Sequence, residues 1–207
     1  MSNLAETFWN GHYRQHQGPG IDRANPVLAD VAGPLTPGTA LDLGCGQGGD
    51  ALWLARRGWT VTAVDVSTTV LARVAAQAAV QNASARIQIQ QHDLSRTFPR
   101  GSFDLVSAQY LQSPVDLPRE QILRRAATAV TPGGLLLVVT HASVPPWSWA
   151  DPDTVFPTRE QALAALELDL DRWEVVRLDA PSRRATGPGD QRATVTDTVV
   201  ALQRNMP

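Results

Sequence analysis

The chain has 207 residues, 43% of them hydrophobic and 18% charged, which is the profile of one folded globular domain rather than a disordered chain. All 18 cationic residues are arginine, so Lys-based chemistry is excluded, and the net charge of −2 gives no electrostatic case for nucleic acid or an anionic membrane. Cys45 is the single cysteine, which excludes an intramolecular disulfide and a Cys-rich metal site.

In chain order, residues 1–36 read as a helical appendage or lid ahead of a core domain over 37–207. A helix is expected over Leu4–Gln15, carrying Phe8, Trp9, His12 and Tyr13. After Gly18-Pro19-Gly20, Pro26 starts a second helix through Val31, closed by Gly33-Pro34. From Ala40 onwards strand and helix alternate. Residues 40–43 read as a buried strand ending in glycines, and 50–57 as a helix with Ala51, Leu52, Leu54 and Ala55 on its apolar side. The β-branched run 60–64 is the second strand, and Ser67 caps a helix carrying Val70, Leu71, Val74 and Ala78 at helical spacing. Residues 86–90 and 103–107 are the third and fourth strands. A helix over 118–130 starts on proline and is stopped by Thr131-Pro132-Gly133-Gly134. Residues 135–139 are apolar throughout, as in a strand covered on both faces, and are far too few to span a bilayer.

Beyond a Pro/Trp-rich loop, Thr158 and Gln161 form a capping-box pair that opens the last helix. Residues 173–179 and 193–203 are strand-like, separated by the linker 180–192 with no helix, so they should pair antiparallel. The expectation is a doubly wound, Rossmann-like α/β sheet of seven strands, mostly parallel and closed by a C-terminal antiparallel hairpin. The start carries no basic-then-apolar leader pattern, and a cytoplasmic protein, monomer or homodimer, is expected.

The chemistry concentrates at Gly44-Cys45-Gly46-Gln47-Gly48-Gly49. Gly44-x-Gly46-x-x-Gly49, with Asp65 at the spacing of the fingerprint's acidic residue, fits a dinucleotide site and by itself suggests NAD. The same stretch also reads Asp42-x-Gly44-x-Gly46-x-Gly48. Both patterns need glycine where a Cβ would block a ligand. They differ in the ligand: a pyrophosphate seeks the amides of a helix end, whereas the Asp42 carboxylate suits a cation.

Asp42-x-Gly44-x-Gly46-x-Gly48, Asp65 closing the second strand, Gln91-His92-Asp93-Leu94, Phe103-Asp104-Leu105-Val106 with Ser107-Ala108-Gln109-Tyr110, and Thr131-Pro132-Gly133-Gly134 occur in this order. Together with the closing hairpin they resemble the class I S-adenosylmethionine (SAM) methyltransferases, over about residues 38–203. Trp9, Tyr13 and Gly48-Gly49-Asp50-Ala51 are further similar to the bacterial tellurite-resistance and thiopurine-like small methyltransferases. The resemblance implies SAM as cofactor, S-adenosylhomocysteine (SAH) as product, and no metal. Asp42, Gly44, Cys45, Gly46, Gly48 and Gln109 would then surround its amino-acid end, Asp65 and Val66 its ribose, and Asp93 and Leu94 its adenine.

The implied reaction is methyl transfer to a small-molecule acceptor. His141, after the fifth strand, is the leading acid–base candidate, and Tyr110 is the second. Trp9, Tyr13, Trp147 and Trp149 are candidates for a substrate lid, with apolar capping of the sheet edge as the alternative. Arg183 and Arg184 fit either an anionic substrate or a solvated charge run. Ala108-Gln109-Tyr110-Leu111 departs from the Asn/Asp-Pro-Pro-aromatic signature of enzymes that methylate base amino groups. Two other readings stand beside this one: an NAD(P)-dependent dehydrogenase, which leaves Asp93 and the hairpin unexplained, and a SAM-binding module without catalysis.

Overall fold

The structure is a computed structural model and describes residues 4–15, 23–148, 151 and 153–207. His16, Gly18-Pro19-Gly20 and Trp149 lie outside the described residues.

The expected helices form where their caps and apolar spacing place them. Helix α1 spans Leu4–Gln15 and α2 spans Pro26–Ala32; Asn25 caps α2, its side chain accepting from the Val27 amide at 2.9 Å. Strand β1 (Thr39–Leu43) leads into α3 (Gly49–Arg56), and β2 (Thr60–Asp65) into α4 (Thr68–Val80). The Ser67 hydroxyl caps α4 by accepting from the Val70 amide. Then come β3 (Ile87–Gln91), β4 (Phe103–Gln109), α5 (Arg119–Thr128) and β5 (Val130–His141). Helix α6 (Arg159–Ala164) starts on the expected capping box of Thr158 and Gln161. Strands β6 (Trp173–Asp179), β7 (Ser182–Thr186) and β8 (Arg192–Arg204) complete the chain.

The sheet order is β3-β2-β1-β4-β5-β8-β6, with β7 paired to β8. Strands β1 to β5 pair in parallel, and β8 runs antiparallel to β5, β6 and β7. Each face of the sheet has its own core, as a doubly wound fold requires. One holds Leu28 of α2, Leu52 and Leu54 of α3 and Val74 of α4 against Ala40, Val61 and Leu137. The other holds Ile122, Leu123 and Ala126 of α5 against Leu41, Val106 and Leu136. Adjacent residues of one strand thus feed opposite cores, which explains the uninterrupted apolar run in β5.

Two features differ from expectation. Thr131-Pro132-Gly133-Gly134 does not precede the fifth strand but lies inside it. Phe103 pairs with Val130 and Leu105 with Leu135, so these residues bulge out of the ladder, with Gly133 at φ +78°. The segment expected as a linker, 180–192, contains β7, which makes eight strands rather than seven. Ser182–Thr186 is short, polar and paired on one side only, so no apolar alternation marks it.

Candidate functional site

The chain leaves β1 at the point where the sheet reverses its winding, between β1 and β4, and ligands of open α/β sheets bind at the carboxyl edge of such a point. The glycine turn there takes left-handed backbone at Gly44 (φ +67°), Gly46 (φ +50°) and Gly48 (φ +82°). A Cβ on Gly44 would lie 2.8 Å from Leu111 Cδ1, so side-chain bulk is unavailable at the mouth of the site. Gly48 serves packing instead: a Cβ there would meet Val74 at 2.8 Å, and Gly48 lines none of the cavities described below. The turn is tied down by the Cys45 amide donating to the Val64 carbonyl (2.8 Å) and the Gly46 amide donating to the Asp65 carboxylate (3.0 Å).

A cavity of about 930 Å³ opens on this turn, lined among others by Asp42, Gly44, Cys45, Gly46, Asp50 and Gln109. Its polar groups at the turn itself are acidic or acceptors, whereas Arg23, Arg177, Arg183 and Arg184 line other parts of its wall. Asp42 is 2% exposed and its Oδ2 has no hydrogen-bond partner among the described residues. Gln109 donates through Nε2 to Ser107 Oγ, but its buried Oε1 also lacks a partner. Asp50, in the first turn of α3, accepts from the Asn25 amide at 2.6 Å. Burial, with repulsion from Asp50 and Asp65, pushes the Asp42 carboxyl well above the usual range. Burial moves Asp50 up to about 6 against the Asn25 bond, and moves Asp65 up against the amides of Ser67, Gly46 and Val66. Unpartnered acceptors and crowded carboxylates call for a ligand that brings positive charge and N–H donors. The Cys45 thiol is pushed up by burial and then by Asp42 and Asp65, so it stays a protonated, space-filling group.

Beside this cavity lies a tighter one of about 100 Å³, lined by Asp65, Val66, Asp93 and Leu94 under Trp9 and Tyr13 of α1. Helix α1 is fastened over it. Trp9 Nε1 donates to Ser113 Oγ (3.2 Å), and Asn10 Oδ1 accepts from Ser67 Oγ (2.7 Å) and the Thr69 amide (3.0 Å) at the start of α4. The Tyr13 hydroxyl reaches Gly46, and burial first, then Asp65 and Cys45, pushes its phenol pKa up. Asp93 Oδ1 accepts from the Ser95 amide and hydroxyl, fixing the loop after β3. His92 lines the same cavity, its ring held between Thr97 Oγ1 and Gln90 Oε1 at 3.0 Å each.

A third group of side chains joins the ends of β4, β5 and β8. Tyr110 has φ +52°, strained for a non-glycine residue, and its ring stacks on His141 at 4.3 Å. Its hydroxyl donates to Asp197 Oδ2 at 2.8 Å. Arg183 Nε donates to the same oxygen at 2.5 Å, and His141 Nδ1 lies 3.5 Å from Asp197 Oδ1. Asp197 is 1% exposed and stands opposite His141 in the β5–β8 ladder. Burial alone would raise Asp197, but the bonds from His141, Arg183 and Tyr110 outweigh it and hold the carboxyl below its usual value. Burial and Asp197 push the Tyr110 phenol up to about 12. A cavity of about 740 Å³ adjoins the group, lined by His141, Trp147, Phe156, Arg183 and Val195. Trp147 lies against Gly187, where any Cβ would collide with the indole ring. Arg183 lines both this cavity and the glycine-turn cavity.

The structure therefore brings together Asp42, Gly44, Cys45, Gly46 and Gln109 on one cavity, Asp65, Val66, Asp93 and Leu94 on a second, and His141 and Trp147 on a third, with Tyr110 reaching the first two. Sequence reasoning missed Asn25, the Asp50 carboxylate and Asp197. An acid inside the Val/Thr-rich run of β8 was the available signal for Asp197. Among the described residues no group of three or more His, Cys, Asp or Glu is placed to hold a metal ion, and no helix is long and apolar enough to cross a membrane.

The family described as methyltransferase domain matches residues 40–134, from β1 to the bulge of β5. Residues 40–134 thus form a methyltransferase domain of the class I SAM-dependent kind. It is 32% identical over 120 residues to ribosomal RNA small subunit methyltransferase C of Alcanivorax borkumensis, covering 56% of this chain and 36% of that one. It is 31% identical over 147 residues to the ubiquinone biosynthesis O-methyltransferase of Albidiferax ferrireducens, covering 68% and 56%. The chain thus spans roughly a third to just over half of the length of these relatives. Its fold is similar to that of TehB from Haemophilus influenzae, with TM-score 0.72, 19% identity, and coverage of 97% of this chain and 67% of that one. For this methyltransferase family the cofactor is SAM, which carries a sulfonium, an ammonium and a carboxylate.

Proposed function

We propose that the protein transfers the SAM methyl group to a small-molecule acceptor. One observation carries the reading: the glycine-turn cavity presents two buried acceptors without partners, Asp42 Oδ2 and Gln109 Oε1, beside Asp50. An ammonium brings the donors these oxygens lack. A pyrophosphate brings only further negative charge, and would meet Asp50 in the first turn of α3, where a dinucleotide site needs open amides. The dehydrogenase reading loses its ground at that residue.

In this assignment Asp42 and Gln109 hold the amino-acid end of SAM, with Gly44, Cys45 and Gly46 giving it room. Asp65 and Val66 face the ribose, Asp93 and Leu94 the adenine, and Trp9 and Tyr13 cover both. When bound, SAM supplies a methyl group made electrophilic by its sulfonium. The protein's own task is to orient the acceptor and exclude water. The cavity of Trp147 and His141 is suited to the acceptor, because Arg183 borders it and the glycine-turn cavity alike. The net charge of −2 speaks against a nucleic-acid acceptor, although one relative is named for ribosomal RNA. The test is a screen of phenols, thiols, metalloid oxyanions and amines with SAM, read as SAH formed. At least one class should turn over; SAM binding without SAH from any class would contradict the proposal.

A further inference from the structure

Asp197 is a buried carboxylate at the edge of the glycine-turn cavity and outside the adenosine-side one, and three side chains from different parts of the chain converge on it. Oδ2 accepts from the Tyr110 hydroxyl and Arg183 Nε; Oδ1 faces His141 Nδ1 and Arg183 Nη2. With Nδ1 facing the Asp197 carboxylate at 3.5 Å, a neutral ring would carry its proton on Nδ1 and leave Nε2 to accept. Arg183 has five N–H donors, and the fork held by Asp197 leaves others for a ligand. Both side chains line the aromatic-walled cavity of Trp147 and Phe156.

A base and a fixed guanidinium side by side suit one kind of acceptor. A thiolate or metalloid anion attacks without losing a proton and has no need of the base. An amine arriving as a cation would be repelled by Arg183. An aliphatic alcohol is too weakly acidic for an imidazole to ionise. An aromatic hydroxyl loses its proton readily, leaves an oxyanion that needs a cation, and carries a ring that packs against Trp147 and Phe156.

We infer that the acceptor is a phenol, deprotonated by His141 and held as its aryloxide by Arg183, with Asp197 as the positioning residue for both. The inference rests on the methyl-transfer reading above and specifies its acceptor. The aryl O–H proton moves to His141 Nε2, the electron pair of that bond stays on oxygen, and the aryloxide is stabilised by the Arg183 guanidinium. The imidazolium later returns the proton to solvent. Tyr110 keeps its own proton: its hydroxyl donates to Asp197, and its ring fixes the plane of His141.

The test uses 4-nitrophenol, whose aryloxide absorbs visibly and whose neutral form does not. The full-length protein is first shown to bind SAH by calorimetry. The probe is then added in near-neutral buffer, where an ordinary imidazole is largely neutral, and the aryloxide band of the free probe at that pH is subtracted. The wild type should develop the aryloxide band. Arg183→Met should lower it roughly tenfold or more, the effect of losing one charge-assisted hydrogen bond. Arg183→Lys keeps the charge without the fork and should give an intermediate band; it carries the test alone if Arg183→Met does not fold. A bound probe with the neutral spectrum, or an undiminished band in either variant, would overturn the proposal. SAH binding with no binding of 4-nitrophenol would overturn the phenol class and leave methyl transfer standing. Failure to bind SAH would instead sink the methyl-transfer reading itself.

Discussion

Asp50 shows how a single carboxylate links fold and ligand. Burial raises it to about 6, so its charge is penalised in the folded protein. A raised carboxyl contributes its stability fully below the unfolded value near ~4, and loses that contribution as pH rises through about 6. A cationic ligand reverses the balance by favouring the ionised form. SAM affinity should therefore rise up to roughly tenfold between about pH 5 and 7 in calorimetric titrations, and Asp50→Asn should flatten the rise. A flat wild-type profile would remove Asp50 from the cation site. Gly48 tests the turn rather than the ligand. Gly48→Ala forces a left-handed alanine against Val74 and should cost at least about 1–2 kcal/mol of stability, read from the denaturant midpoint. At this scale Asp42 and Asp65 were legible because each sits near the end of a strand at a fixed spacing from the glycine turn. Asp197 was not, because it bonds Tyr110 and Arg183 across 87 and 14 positions, and no local pattern records such convergence.

Among the elements, the Pro26 start of α2 and the Ser67 cap and apolar spacing of α4 were readable from neighbouring residues, and so was the alternation of strand and helix through β5. Two departures share one cause. Local signals punctuate a chain, but the neighbouring strand decides whether an element continues. Pro132 and Gly133 read as a stop, yet β4 pairs on both sides of them and absorbs the extra residues as a bulge. Strand β7 has no apolar alternation to read, and exists because β8 extends far enough to pair with it. That hairpin carries Arg183, and its tip supports Trp147 at Gly187. Gly187→Ala should displace the indole and weaken acceptor binding by about 0.5–1.5 kcal/mol, the worth of one aromatic contact. Acceptor KM should rise while SAM affinity stays unchanged; a wild-type KM would show that Trp147 is no part of the acceptor wall.

The whole molecule places its chemistry along one sheet edge. The parallel half supplies the glycine turn and the acids after β1, β2 and β3, and α1 closes over them through Asn10 and Trp9. The antiparallel end supplies Asp197 and Arg183, the wall proposed to face the acceptor. The residues proposed to hold the cofactor were legible in the sequence because they lie in motifs at the ends of consecutive strands. The proposed acceptor side was not, because it is built from a loop, a short polar strand and a buried acid brought together only by folding. An acidic glycine turn should select a cation-bearing cofactor over a dinucleotide. Calorimetry of the full chain against SAM, SAH and NAD tests it most directly. SAM and SAH should bind with measurable heat and NAD should not; tight binding of NAD without binding of SAM would contradict the account.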